Sequence, residues 1–289
     1  MLQTSSPAVS RRWLAFEMKR LRQFAGLSQA AVAKAIGSQV PKISLIESGH
    51  RNVQERDLQT LLPLFDVRKD RWDEYFSAAR HAHEKGWWDI YDPHTVPGWL
   101  RKFVGLEQGA ERLRTYQPAV FPGLLQTPEY ASAILRRTSP PFSDAKIEGL
   151  VELRIRRQEA LRKANNPLHM WAVVDEAVLR RVVGSHDVMR MQLEHVANAV
   201  GQTDHIHLQV VPFTSGAAYE AAYGAFAILT FGWLTDPGFV YLEHPSNAEF
   251  LESLADTEEY SVLFRRVCDL ALPQDDSLAM LRASIKEFC

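Results

Sequence analysis

The chain has little cysteine, no long apolar run and almost no net charge. Its two cysteines, Cys268 and Cys289, are far apart, which excludes a disulfide framework or a cysteine-based zinc site and suits a reducing compartment. No apolar run reaches the length of a membrane span, and residues 1–10 lack the apolar core of a signal peptide. We therefore expect a soluble, cytoplasmic protein that does not associate with membranes.

The near neutrality hides an uneven distribution of charge. The whole chain has 33 basic and 35 acidic residues. Residues 10–52 contain eight Lys or Arg against Glu17 and Glu47, whereas residues 81–289 contain 20 basic and 27 acidic residues. Because a polyanion is attracted to a local basic excess, only the first of these segments is a plausible nucleic-acid surface.

Residues 14–49 have the pattern of three short amphipathic helices joined by tight turns. Leu14, Met18 and Leu21 recur at helical spacing and predict one buried face. Gly37 allows the backbone to take the turn before the third helix. With its inner face committed to packing, the third helix has an outer face that is free to enter a major groove, which is the layout of a helix-turn-helix.

Twelve residues of this segment follow the pattern L-x6-L-R-x3-G-L-S/T-Q and then I/V-S-x-I-E-x-G. They are Leu14, Leu21, Arg22, Gly26, Leu27, Ser28, Gln29, Ile43, Ser44, Ile46, Glu47 and Gly49. With this pattern the segment resembles the xenobiotic-response-element (XRE) helix-turn-helix regulators, also called the lambda-repressor-like DNA-binding domain. The resemblance implies that Arg22 and Glu47 form a partly buried, structural ion pair between the first and third helices.

The third helix supplies most of the candidate contacts with double-stranded DNA. Gln39 is the best candidate for a base edge, because an amide can bond bidentately to adenine, whereas Val40, Pro41 and Leu45 offer only apolar contact. Gln29, at the start of the second helix, is expected to meet a phosphate together with free backbone amides. The other expected phosphate contacts are Lys42, Ser48, His50 and Arg51. The whole candidate set is Gln29, Gln39, Val40, Pro41, Lys42, Ser44, Leu45, Ser48, His50 and Arg51.

Two further helices are predicted after the first three. One covers residues 56–65, and the other covers residues 70–85 with Trp72, Phe76 and Ala79 on one face. We expect the latter to link two domains. The predicted division is a helix-turn-helix domain at 10–68, a linker helix at 69–86 and a regulatory or partner-binding domain at 87–289.

The remainder of the chain mixes helical and strand patterns. Helices are predicted at 100–114, 128–137, 143–163, 188–200, 256–270 and 277–288. Strands are predicted at 169–174, 205–211, 225–231 and 239–243, the last two forming a hairpin around residues 233–238. We expect a multidomain protein, with an all-α lambda-repressor-like helix-turn-helix domain followed by an α+β domain with an antiparallel sheet.

The C-terminal part resembles a domain of unknown function that follows XRE domains in actinobacterial regulators of the WhiJ-like kind. The resemblance rests on residues 116–131 and on later positions that include Arg154, Arg157 and Gln158. It implies a transcription regulator that is encoded beside a small partner protein, in a toxin-antitoxin-like arrangement. A homodimer joined through the C-terminal domains is expected because one helix-turn-helix reads only a half-site.

Three local clusters could indicate other chemistry: Asp175–Glu176, the pair His205 and His207, and Glu243–His244. The two histidines share a strand face at a spacing that can hold a metal, but no third ligand is evident, and a solvated strand face is favoured. Asp175–Glu176 is expected to begin a helix, because acids favour the first turn. We predict no catalytic residue, no metal and no cofactor.

Three functions remain open from the sequence. The preferred one is a transcription regulator whose C-terminal domain dimerises and binds a small protein. The second is a regulator that senses a small molecule in a pocket lined by Trp171, Tyr219, Tyr223, Phe226 and Trp233, although such aromatics more often belong to a core. The third is an enzyme tethered to DNA.

Overall fold

A computed structural model of the chain describes residues 6–138, 141–233, 236–244 and 246–288. It divides into two compact units, the first running to Ile90 and the second beginning at Tyr91. Within the described ranges, no helix is long and apolar enough to cross a membrane. Three predictions lie partly outside these residues: the N-terminal segment 1–10, the hairpin turn 233–238 at Leu234 and Thr235, and the cysteine pair at Cys289.

The first unit is built from helices. They are α1 (Pro7–Phe24), α2 (Gln29–Ala35), α3 (Val40–Glu47), α4 (Glu55–Leu64) and α5 (Trp72–Ala82). The predicted three-helix layout and the fourth helix are confirmed, and α1 begins earlier than residue 14, with Pro7 in its first turn. Ser28 caps α2 by accepting a hydrogen bond from the Ala31 amide, and Gly37 has a φ of +60°, which an L side chain rarely adopts.

The helices of the first unit bury one common face. Leu14, Met18 and Leu21 of α1 are all buried, as the spacing predicts, and Ile43 and Ile46 of α3 are each 2% exposed. Burying such side chains contributes about 1.5–3 kcal/mol each. This packing fixes which side of α3 faces outward.

The segment predicted as a linker helix belongs to the first unit. α5 packs along α1, and the Tyr75 and Trp13 ring centroids lie 4.9 Å apart. Its buried face differs from the prediction, because Tyr75 is fully buried whereas Trp72 and Phe76 are only half-buried. Residues 69–86 therefore contain a helix that packs within the first unit, and its role as a link between domains stays a prediction.

The second unit combines helices with strands, and the predicted multidomain α+β organisation is confirmed. Its helices are α6 (Gly98–Glu107), α7 (Pro128–Leu135), α8 (Asp144–Arg157), α9 (Glu176–Arg180), α10 (His186–Gly201), α11 (Ala218–Ala222), α12 (Leu254–Leu270) and α13 (Gln274–Lys286). Its strands are β1 (Arg112–Gln117), β2 (His169–Asp175), β3 (Ile206–Val211), β4 (Phe226–Thr230), β5 (Phe239–Glu243) and β6 (Ala248–Leu251).

The sheet is mixed, which corrects the expected antiparallel sheet. Its strand order is β3-β2-β1-β4-β5-β6. β1 pairs with β2, and β2 with β3, in parallel, whereas the other neighbours are antiparallel. Helices lie between β1 and β2 and between β2 and β3 along the chain, and such helical crossovers are what parallel neighbours require. The predicted β4–β5 hairpin is confirmed.

Two strands were missing from the sequence-based description. The helix predicted at 100–114 ends at Glu107, and Arg112–Gln117 forms β1 at the centre of the sheet. β6 is short and only partly buried. β1 lacks a long alternation of apolar and polar residues, because four of its six side chains, Arg112, Arg114, Thr115 and Gln117, are polar.

Helices cover both faces of this sheet. On one face, Phe264 and Val267 of α12 pack against a buried cluster that contains Tyr116 and Phe226. On the other, the Phe103 ring of α6 stacks on Tyr241 of β5, with centroids 4.0 Å apart.

Candidate nucleic-acid interface

The amino-terminal end of α3 presents a free amide side chain. Gln39 is the N-cap residue, in an extended conformation, and its side chain makes no capping hydrogen bond. It is exposed, as is Pro41, which occupies the first turn of α3. A proline is tolerated there because the first helical amides have no intrahelical partner. The Gln39 amide can therefore offer both a donor and an acceptor to a ligand.

The outer face of α3 is largely apolar. Val40 is 41% exposed and Leu45 is 43% exposed, and Ser44 is also exposed between them. Side chains of this size on an outward helical face can contact a thymine methyl group in a major groove.

Lys42 does not present a free charge. Its Nζ donates to Asp57 Oδ1 of α4 at 2.9 Å, and the two side chains are 11% and 5% exposed. The pair neutralises the Lys42 charge inside the unit and ties α3 to α4, and the expected contact of Lys42 with a phosphate stays a prediction.

Arg51 and Arg56 are the exposed cations that remain near α3. Within the described part of the chain, neither side chain has a hydrogen-bond or ion-pair partner. Both line an open groove together with Gln39, Leu45 and Thr60. Sequence analysis did not identify Arg56 or Thr60, because both belong to the fourth helix, and only the fold brings that helix beside α3.

Ser48 and His50 follow α3. The Ser48 hydroxyl donates to the Leu45 carbonyl at 3.3 Å, and it lies 2.9 Å from Nδ1 of His50. Both side chains are exposed, next to Gly49, whose φ of +73° lets the chain leave the helix.

Arg22 and Glu47 contact each other between α1 and α3. Nε and Nη2 of Arg22 donate to Oε1 and Oε2 of Glu47 at 2.6 and 2.9 Å, and the side chains are 13% and 6% exposed. Hydrogen bonding to Glu47 raises the pKa of Arg22 above its usual value. Arg22 also donates to the Leu27 carbonyl at 2.8 Å, which holds the turn before α2.

Gln29 turns toward the same carboxylate. Its Nε2 donates to Glu47 Oε2 at 2.9 Å, so the amide lies within a network of the unit. This bond holds the start of α2 against the end of α3, and the expected contact of Gln29 with a phosphate stays a prediction.

A second buried carboxylate joins α1 to α5. Glu17 accepts hydrogen bonds from Nε and Nη2 of Arg20, at 2.7 and 2.8 Å, and from the Tyr75 hydroxyl at 2.8 Å. Burial alone would raise the pKa of Glu17, but these hydrogen bonds and the Arg20 charge bring it below its usual value. Sequence analysis missed this network because Tyr75 and Glu17 are distant in the chain.

The titratable residues singled out in the second unit have structural partners. Asp175 caps α9 by accepting a hydrogen bond from the Ala177 amide at 2.8 Å, so the predicted helix start is confirmed. His205 Nε2 lies 2.8 Å from the Leu161 carbonyl, and His207 Nδ1 lies 2.8 Å from Gln274 Oε1. Among the residues that the structure describes, no group of His, Cys, Asp and Glu is arranged to hold a metal ion.

Two of the aromatic residues considered for a ligand pocket, Trp171 and Phe226, share a neighbour, since both rings contact the ring of Phe264. Phe226 belongs to the buried core. Tyr219 and Tyr223 are exposed, with their hydroxyl oxygens 3.0 Å apart. Trp171 is 41% exposed and packs on Phe264, and the fifth residue, Trp233, stacks on the ring of Phe231. These contacts do not describe one aromatic pocket.

The first unit thus has the arrangement of a helix-turn-helix DNA-binding domain, with α3 as the outward-facing helix. A family model described as a helix-turn-helix domain matches residues 13–74, which points to a DNA-binding regulator. A second model, described as a domain of unknown function (DUF5753), matches residues 100–283. Since this match spans more than half of the chain, the protein belongs to the DUF5753 family. Comparison with curated proteins and with solved structures found no match.

Proposed function

We propose that this protein is a sequence-specific transcription regulator of the XRE kind that binds double-stranded DNA through α3. The observation that carries the proposal is the free Gln39 amide at the start of α3, in a groove that also contains the unpaired guanidinium groups of Arg51 and Arg56. Sequence-specific DNA binding needs a polar side chain that hydrogen-bonds to base edges. It also needs cations nearby that contact the phosphates.

The side chains around α3 then fall into three roles. Gln39, Val40 and Leu45 contact bases, and Pro41 and Ser44 lie on the same surface. Arg51 and Arg56 contact phosphates, with Ser48 and His50 at the end of the helix. A third set keeps α3 in position: Arg22, Gln29, Lys42, Glu47 and Asp57.

The division between base and phosphate contacts can be tested by substitution. An operator is first selected from random duplexes with the full-length protein. Gln39→Ala should weaken binding to that operator by about 1 to 3 kcal/mol and hardly affect random DNA. Arg51→Ala should weaken binding to both and reduce the slope of log affinity against log salt by about one unit.

Arg68→Ala is a suitable control, because Arg68 is 77% exposed and its ion-pair partner among the described residues is the nearby Asp70. It should leave operator affinity unchanged. Equal losses on operator and random DNA for Gln39→Ala would place Gln39 among the phosphate contacts and contradict the proposed reading of bases.

For the second unit we propose dimerisation and binding of a small protein encoded nearby, as in toxin-antitoxin-like pairs. The support is the resemblance of residues 87–289 to such regulators and the acidic balance of residues 81–289, which disfavours DNA as their partner. Purified product of the neighbouring gene should bind the full-length protein in a titration. No binding at micromolar concentrations would contradict this assignment.

A second candidate is that this unit senses a small molecule. The contacts of Trp171, Tyr219, Tyr223, Phe226 and Trp233 do not support the aromatic pocket that the sequence left open as an alternative. The guanidinium group of Arg154 offers a different place for a ligand.

A further inference from the structure

Two arginines on α8 lie side by side, but only one has a carboxylate partner. Arg157 donates through Nε and Nη2 to the two oxygens of Glu107, each at 2.8 Å. Arg157 is 11% exposed and Glu107 is 1% exposed. This geometry is that of a neutralised, bidentate ion pair.

Arg154 differs from its neighbour. Its Nη1 donates to Gln126 Oε1 at 2.7 Å, and no carboxylate of the described residues lies within ion-pairing distance. Glu243 contributes a favourable charge from further away, but its carboxylate is exposed and accepts the Tyr241 hydroxyl at 3.2 Å. Burial lowers the pKa of Arg154 to about 10, and the charge of Arg157 acts in the same direction.

A partly desolvated cation that contacts no carboxylate is costly. Placing a second guanidinium group beside it adds to this cost, even though Arg157 is itself paired. The free energy would be recovered by an anion that accepts hydrogen bonds from Arg154, since charge-assisted bonds to a guanidinium are among the strongest in proteins.

The side chain of Gln126 positions the guanidinium group of Arg154. The Gln126 side chain is held by its Nε2, which donates to the Phe121 carbonyl, and its backbone is held by Gln158, whose Nε2 donates to the Gln126 backbone carbonyl at 2.7 Å. Gln126 Oε1 is therefore directed at Arg154. Among the described residues, Nε and Nη2 of Arg154 have no hydrogen-bond partner, and the side chain is half-buried, so both nitrogens can donate to a bound anion.

The backbone at Gly123 lies next to the guanidinium groups of Arg154 and Arg157. A β-carbon at Gly123 would lie 3.6 Å from Arg157 Nη1 and 3.8 Å from Arg154 Nε. The turn after β1 thus runs directly beside both guanidinium groups.

We propose that Arg154, with Gln126 and the turn at Gly123, forms a binding site for the carboxylate or phosphate group of a small ligand in the second unit. The site does not depend on the proposed DNA-binding function. Arg154 supplies the charge and free N–H groups, Gln126 orients it, and Arg157 contributes positive potential while remaining paired with Glu107.

The first test uses the unmodified full-length protein. Arginine side chains are labelled with phenylglyoxal in chloride, phosphate or acetate at equal ionic strength, and each site is quantified by peptide mass spectrometry. At ten times the dissociation constant of a bound anion, labelling of Arg154 should slow about tenfold. Protection by phosphate or by acetate identifies the preferred group. Arg266, exposed on α12, should be labelled at the same rate throughout.

Three results would overturn the proposal. Arg154 could react equally fast in all three salts, which would show that no anion binds there. It could also be protected only as much as Arg266, which would show a general effect of the salt on arginine labelling. It could also resist labelling in chloride, which would show that small molecules do not reach it.

Matched variants provide the second test. Saturating phosphate or acetate should raise the melting temperature of the wild-type protein and of Arg266→Gln, and Arg154→Gln should lose the part of the shift that comes from this site. Binding of phosphate to cations of the first unit would persist in Arg154→Gln. A shift as large in Arg154→Gln as in the wild type would contradict the site. If Arg154→Gln fails to fold, the labelling of the wild-type protein decides.

Discussion

Two buried tyrosines differ in whether their hydroxyl groups have a partner. Tyr75 and Tyr116 are both 0% exposed. The Tyr75 hydroxyl donates to Glu17, whereas the Tyr116 hydroxyl has no hydrogen-bond partner among the described residues. Burial raises the pKa of Tyr116 to about 12, so this hydroxyl keeps its proton and lacks an acceptor. An unsatisfied buried hydroxyl costs about 1–3 kcal/mol.

Removing the two hydroxyls should therefore have opposite effects. Tyr75→Phe should lower the free energy of unfolding by about 1.5–3 kcal/mol, because it removes a hydrogen bond to a charged group. Tyr116→Phe should leave stability unchanged or raise it. Urea unfolding of each full-length variant measures both effects. A comparable loss in Tyr116→Phe would show that its hydroxyl has an acceptor.

Glu17 should make the first unit sensitive to acid. Its pKa is depressed below the ordinary value of 4.5 in the folded state, so its ionised form contributes stability at pH values above 4.5. This contribution should be lost as the pH falls through the folded-state pKa, because protonation removes the partner of Arg20 and Tyr75.

The measurement is the free energy of unfolding between neutral pH and pH 3. Glu17→Gln should be less stable than the wild type at neutral pH and should show a weaker decline toward acid. Asp73→Asn, at an exposed position of α5, is the control and should follow the wild type. A wild-type decline that is unchanged in Glu17→Gln would assign the acid sensitivity to other groups.

At the scale of elements, α3 is held at its end by Glu47. This residue accepts hydrogen bonds from Arg22 of α1 and Gln29 of α2, so it connects three helices. A carboxylate near a helix C-terminus is opposed by the helix dipole. The two donor side chains offset this cost and fix how α3 projects from the unit.

Glu47→Gln should therefore destabilise the first unit by about 3 to 5 kcal/mol, since it leaves Arg22 unpaired and mostly buried. Glu55→Gln is a matched control, because Glu55 and Arg80 form a largely exposed pair that is expected to contribute below about 1 kcal/mol. Thermal melting and an operator titration well below the melting temperature measure the two properties. Unchanged stability with lost affinity would show that Glu47 orients DNA contacts.

At the scale of the whole molecule, a single α3 can read only one half-site. If the second unit dimerises as proposed, the full-length protein should protect two half-sites that are about 34–36 Å apart, or a multiple of that distance. Footprinting combined with sedimentation of the protein–DNA complex measures this. A monomer that protects one half-site would contradict the proposed dimer.

Much of the architecture could be inferred from local patterns. The spacing of Leu14, Met18 and Leu21 predicts the buried face of α1, and Asp175 predicts the start of α9. The hairpin of β4 and β5 was also foreseen from two neighbouring apolar runs. These features depend on residues close together in the chain, so periodicity and capping chemistry are sufficient to indicate them.

Other features arise from residues that meet only after folding. Sequence alone places Lys42 and Gln29 on accessible helical positions, yet their side chains turn to Asp57 and Glu47. β1 pairs in parallel with β2 through a long helical connection, which no local pattern specifies. Arg154 is identical in type to Arg157, but only the packing around α8 gives one of them a carboxylate. Which charges pair, which way a strand runs and which polar groups stay unpaired all depend on residues that are distant in the chain and meet in the fold. A pattern of neighbouring residues does not encode such contacts.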